Sequence, residues 1–157
     1  KTNWFDVFSM ASCLPTTGRP QLRPVPGENS LESGSLIVVG KSASPLRSLS
    51  DKKIAEIEAN WPGPVVRYEK HPPLTQWLND LYHADMVVSV DTAAIHFREG
   101  VGKYALGIYG AFSADSRTKY YKYTESIEIK SPCPFQPCFS HGDCKWKPGS
   151  VSAPCLE

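Results

Sequence analysis

The residues best suited to chemistry in this chain close the run MVVSVDTAAIH, from Met86 to His96. An apolar stretch stops at Asp91, and Thr92 and His96 follow it four residues apart. A helix starting at or just after Thr92 would aim free N–H groups and a positive dipole end at whatever lies above the strand, a ready phosphate site. Thr92 adds a hydroxyl, Ala93 and Ala94 leave room, and His96 shares the Thr92 side of the helix. Asp91 suits capping or sugar hydroxyls, because a carboxylate is a poor neighbour for phosphate. These types together point to a ligand with a phosphate part and a polyol part. The same spacing also fits an ordinary helix cap at Asp91 and Thr92, and a half-buried His96 with partners of its own.

Two further loops end in small residues and carry charge. GKSASPLRS, from Gly40 to Ser48, supplies Ser42, Lys41 and Arg47, and Arg47 is able to grip a pyrophosphate with two parallel hydrogen bonds. Solvated loop charges are the alternative for both cations. GAFSADSR follows from Gly110.

The elements that must position these loops read from the periodicity. Leu36 to Val39, LIVV, is a buried strand ended by Gly40. Ser50 and Asp51 offer N-cap oxygens to a helix through Ile54, Ala55 and Ile57, stopped at Asn60, Trp61 and Pro62. Pro64 to Tyr68 is a second strand. Leu74, Trp77, Leu78 and Leu81 recur at i, i+3, i+4 and i+7, an amphipathic helix. Met86 to Val90 is the third strand, and Thr92 to Val101 a helix closed by Gly102. Tyr104 to Tyr109 is the fourth strand, and Ser126 to Lys130 alternates like an edge strand. Strands alternating with short helices predict a mainly parallel sheet covered on both faces, whose ligands gather at the strands' carboxyl ends.

Composition narrows the class. The 157 residues, 41% hydrophobic, suit one domain with a real core. The 17 basic and 16 acidic side chains nearly cancel, which excludes nucleic acid or an anionic membrane as a partner suggested by charge. No apolar run nears the ~20 residues of a membrane span, and no signal segment opens the chain, so a soluble intracellular protein is expected. Prolines crowd both ends, which divides the chain into an extended lead-in (1–35), an α/β domain (36–131) and a Cys/Pro-rich tail (132–157) packing on or beside it. The opening WFDVFSM allows one helical turn or two.

The run ADMVVSVDTAAIHFREGVGKYALGIYGAFSADSR resembles the C-terminal, nucleotide-sugar-binding half of glycosyltransferase family 9, the heptosyltransferases of lipopolysaccharide core synthesis. Asp91, Thr92 and His96 match the family's Asp-(Ser/Thr)-Gly-x-x-His helix start, Gly102 and Lys103 its helix end, and Gly110 its loop glycine. Upstream, Ser42 and Arg47 stand at its hydroxyl and basic positions. Downstream, CPFQPCFSHGDCKWKPGSVSAPCL is similar to its cysteine tail, so the likeness covers roughly residues 35 to 156, and the opening is similar to the linker into this domain. Four positions depart: Ala93 replaces the motif glycine, Ser48-Leu49 a Trp-Pro, Tyr104 a proline, and Gly110-Ala111-Phe112 a Gly-Pro-Thr loop.

The resemblance implies a Rossmann-like domain, the C-terminal half of a GT-B enzyme that transfers a sugar with inversion from a nucleotide donor, commonly an ADP-sugar, to a glycolipid or glycan acceptor. Ser42, Arg47, Thr92, Ala93 and His96 would hold the diphosphate, with Asp91 near the sugar and Gly110 in the donor loop. Lys41 would add charge. No metal is needed if helix dipole and cations suffice. The general base belongs to an N-terminal domain preceding this segment. The chain therefore reads as an excised piece, inactive alone, with Leu156-Glu157 a cloning scar. Its place would be the cytoplasm, or the inner face of the membrane as a peripheral protein. Base and ribose contacts would come from Tyr68 to Pro73 and from Ser89.

Two other functions stay open: a non-catalytic nucleotide-binding module, and a zinc-stabilised interaction domain. Cys133, Cys138, His141 and Cys144 form C-x4-C-x2-H-x2-C, with Cys155 able to replace His141, and zinc prefers four such ligands. Free thiols or a disulfide are the alternatives.

Overall fold

The computed structural model describes residues 22–23, 26–42, 44–68, 72–138, 144–150 and 154–156. The WFDVFSM piece, Cys13, His141 and Glu157 lie outside them. Five parallel strands, β1 (Leu36–Val39), β2 (Val65–Val66), β3 (Met86–Val90), β4 (Ala105–Tyr109) and β5 (Thr124–Glu128), form one sheet in the order β2-β1-β3-β4-β5. The connecting helices are α1 (Asp51–Ala59), α2 (Leu74–His83), α3 (Ala93–Gly100) and the single turn α4 (Ala114–Thr118). The expected α/β architecture, a Rossmann-like parallel sheet flanked by helices, is what the chain adopts. No helix among the described residues is long and apolar enough to cross a membrane.

Strand alternation divides the core between two faces. Leu36, Val88, Val90 and Ile108 point to one, where Leu49, Ile54, Ile57 and Trp61 around α1 cover them. Ile37, Val87 and Ala105 point to the other, against Leu81 of α2 and Ala94 and Ile95 of α3. Leu74 departs from the expected apolar stripe: it is 67% exposed, because the first turn of α2 projects past the core. The second strand shrinks to Val65–Val66, and β5 begins two residues earlier than its alternation suggested, where Ala105 N–H donates to Tyr123 O at 3.0 Å.

The helix ends follow their caps. Ser50 accepts from Lys53 N–H at the start of α1. At the end of α3 the Gly102 and Lys103 N–H groups return to Glu99 O and Arg98 O, a closure that needs the left-handed backbone Gly102 supplies at φ 72°. Arg98 is buried, and its guanidinium donates to the carbonyls of Tyr104, Leu81 and Ala84, so the last turn of α2 and the start of β4 hang on one side chain. Buried Glu99 does the same on the other side, accepting from Lys122 and Tyr123 N–H.

The tail completes the α1 face. Leu156 is 1% exposed within that cluster, and a Cβ on Gly110 would stand 2.6 Å from its side chain and 3.2 Å from Cys155 Sγ. The reading of Leu156 as an appended scar therefore fails; it is core, and Gly110 lacks a side chain to make room for it. Leu156→Ala is expected to cost about 2–5 kcal/mol in urea unfolding, the range for emptying a buried leucine site.

Candidate functional site

In the order β2-β1-β3-β4-β5 the chain leaves β1 toward one edge and β3 toward the other, so a crevice opens between the carboxyl ends of β1 and β3. The loop after β1 and the Asp91 corner after β3 meet there. A 3-10 turn, Pro45–Arg47, swings Arg47 over the corner: its Nη1 stands 3.4 Å from Asp91 Oδ2 and donates to Asp91 O at 3.3 Å. Arg117, from α4 after β4, brings Nε to 3.3 Å from the same Oδ2. Both guanidiniums also lie against the Phe112 ring, Arg117 at 4.6 Å and Arg47 at 5.7 Å from its centroid. Three strand-end loops are thus tied through one buried carboxylate, whose side chain is 7% exposed.

Thr92 is the N-cap of α3: its Oγ1 accepts from Ala94 N–H at 3.3 Å and meets Ser89 Oγ at 2.8 Å. Ser89 is fully buried, so it positions Thr92 and is no base or ribose contact. Ala93 is exposed at the helix tip. His96 lies one turn along, with Nε2 4.0 Å from Asp91 Oδ1 and Nδ1 2.6 Å from the Tyr121 hydroxyl. Burial raises the Tyr121 pKa above the usual phenol value, with Glu99 and Asp91 adding to the rise, so the phenol keeps its proton.

The remaining expected residues divide. Gly110 lines the same narrow gap of about 10 Å³ as Arg47, Asp91 and Phe112, although its packing partner is the tail. Ser42 is spent inside its own loop, accepting from Ser44 N–H and donating to Ser44 O, both at 3.1 Å. Lys41 holds Leu49 O at 2.9 Å and pairs with Asp51 at 2.8 Å, which fastens the loop to α1 rather than to the crevice. Tyr68 donates to Asp80 at 2.8 Å, and residues 69–71 lie outside the described residues.

Arg117 and Phe112 are the corner residues that sequence reasoning missed, whereas Tyr121 belongs to the YYKY run, Tyr120 to Tyr123, whose aromatic rings the sequence offers either as lining of the cleft or, in preference, as packing. The loop of Arg117 and Phe112 was visible as a strand end, and SADSR carries a signal: a serine to precede a helical turn, an aspartate in its first turn and an arginine in its last. The four tail cysteines are free thiols. Burial pushes the Cys155 thiol up to about 11, with the Cys138, Cys133 and Cys144 sulfurs adding to the rise. Among the described residues no group of three or more His, Cys, Asp or Glu is drawn up to hold a metal ion.

The corner gathers two guanidiniums beside a helix N-terminus, an arrangement suited to an anion. Compared with known proteins, the chain matches no protein-family model and no curated sequence.

Burial lowers the His96 pKa from the usual 6.5, opposed by Asp91 and assisted by Arg117. A lowered folded value means that the unfolded chain binds the proton more tightly. The stability from neutral His96 is present above pH 6.5 and is lost as the pH falls through that value toward the folded one. His96→Gln should flatten the fall in urea midpoint between about pH 7 and 5, and ring NMR of the parent should titrate below 6.5. Asp91→Asn should lower stability by about 1–3 kcal/mol at neutral pH, since it strips the shared partner from two arginines. It should also move the His96 titration lower still.

Proposed function

We propose that the chain is the donor-binding half of an inverting glycosyltransferase resembling family 9, and that the Asp91 corner receives the diphosphate of a nucleotide-sugar. One observation carries this reading: Arg47 and Arg117 converge on a single carboxylate at the crevice between β1 and β3, beside the N-terminus of α3. Arg47 Nε is buried with no hydrogen-bond partner among the described residues, a donor matched to a ligand oxygen.

On this reading the diphosphate lies across the two guanidiniums and the α3 tip, with Thr92 and His96 at its edge. The bond from the anomeric carbon to the phosphate oxygen breaks as the acceptor oxygen bonds to that carbon from the opposite face. Negative charge then collects on the departing diphosphate, where fixed guanidiniums and helix N–H groups are most effective. Asp91 keeps the arginines aimed at the ligand. The acceptor's proton goes to a base on a separate N-terminal domain, so this half alone binds donor without transferring sugar. A glycolipid or glycan acceptor and a role in surface glycan synthesis belong to the same proposal.

Calorimetric titration with ADP, UDP, AMP and an ADP-sugar tests it. ADP should bind at least about tenfold more tightly than AMP, because the second phosphate supplies the extra contact. Arg47→Ala and Arg117→Ala should each weaken ADP by about 10- to 100-fold, or ~1.4–2.8 kcal/mol. Equal affinity for AMP and ADP, or ADP binding untouched by Arg47→Ala, would remove the diphosphate from this corner.

A further inference from the structure

The cysteines of the tail take no part in the strand-end corner, yet they share one place. Cys133, Cys138, Cys144 and Cys155 come from separate stretches of the tail and line a single cavity of about 20 Å³, walled also by Leu46, Ala111 and Gln136. Gln136 turns its amide away: Oε1 accepts from Ser131 N–H at 2.8 Å, and Nε2 donates to Gly110 O at 3.1 Å and to Ile129 O. The lining is apolar, with Trp146 and Pro154 completing it.

A void of this size has room for one particle about as large as a water molecule. Water would find only thiols there, which are weak donors and acceptors. A single soft cation has the opposite preference, since four thiolates in a closed site are the coordination of a structural d¹⁰ ion. Two details favour that occupant. Lys147 N–H donates to Cys144 Sγ at 3.3 Å, the amide-to-sulfur contact that steadies a thiolate ligand. Lys145 and Lys147 flank this cysteine closely and offset the negative charge of a four-thiolate centre. No disulfide joins any of the four.

We propose that Cys133, Cys138, Cys144 and Cys155 together bind one zinc ion, which pins the C-terminal tail over the end of β4. The thiols line the wall without converging. Binding therefore draws the thiols inward and releases their protons to solvent. The centre so formed backs onto Leu46 and Ala111, the sequence neighbours of Arg47 and Phe112. It would therefore brace the wall that carries the strand-end arginines. The inference is independent of the nucleotide-sugar reading, because either can hold without the other.

The experiment uses the whole chain, purified without chelator and assayed for metal by elemental analysis. The expected result is about one zinc per chain, with four cysteines shielded from alkylation until a chelator is added. Cobalt(II) added to the stripped protein should give the visible and near-ultraviolet bands of tetrahedral thiolate coordination. Cys144→Ser and Cys155→Ser should each weaken zinc by about 100-fold or more, whereas Cys13→Ser should leave the stoichiometry unchanged. Should the serine variants fail to fold, the cobalt titration of the parent chain decides alone. Three outcomes overturn the proposal: no zinc and no cobalt spectrum with freely alkylated thiols, a mass showing disulfides among the four, or full zinc retention in both serine variants.

Discussion

The arrangement of this molecule turns on a buried carboxylate. Removing an ion from water costs several kcal/mol unless partners replace its hydration, so Asp91 commits its surroundings to supplying them. They come from far apart in the sequence: Arg47 from the loop after β1, Arg117 from the turn after β4, and His96 from the helix that Asp91 itself precedes. Each loop would otherwise end its strand independently. A carboxylate that is 7% exposed and shared by two guanidiniums draws all three to one point above the sheet. The strand order decides where that point lies, since β1 and β3 are the neighbours whose connections diverge.

Behind the corner stands the tail, which does the work of a missing element. One face of the sheet has α2 and α3 packed on it, while the other has α1 over β1 and leaves Ile108 of β4 to the tail. Leu156 and Cys155 fill that gap, and Gly110 yields the space. Phe112 links the two regions. Its ring lies against both guanidiniums, and it clusters with Leu46, Ala111, Cys138 and Cys144. The aromatic wall of the charged corner is thus one side of the packing beneath the cysteines, and looseness in the tail would be felt at the arginines.

Much of this could be read from the chain, for physical reasons that vary by residue. Met86 to Val90 was legible because apolar β-branched runs between a helix and a polar corner have few alternatives, and the α1 boundaries because Ser50 and Asn60 cap as their side chains dictate. Asp91, Thr92 and His96 were legible as a group because helical spacing fixes their mutual placement. Arg117 was not: what aims it is a single turn of helix and an aromatic ring, both set by tertiary contacts. Lys41 and Ser42 show the converse. Sequence marked them as a cation and a hydroxyl in the right loop, but only the fold decides that Asp51 and the loop's own backbone claim them. Leu156 was misjudged because a terminal position says nothing of burial.

An ion cluster of this kind can exist for structure alone, and the placement of charges separates that case from a binding site. A purely structural network tends toward neutrality, because every unmatched buried charge costs free energy. Here two guanidiniums converge on the Asp91 carboxylate, while His96, its pKa lowered by burial, is suited to a neutral role. The helix tip adds positive potential rather than cancelling it. Arg47 and Arg117 keep 21% and 17% of their side chains exposed, so both stay within reach of an entering ligand. An anion entering at Ala93 would meet charge already fixed in place, and its gain would be greatest for the group bearing the most charge per oxygen. That is the physical ground on which a departing diphosphate, rather than the sugar or the base, is the part of the proposed donor this corner serves.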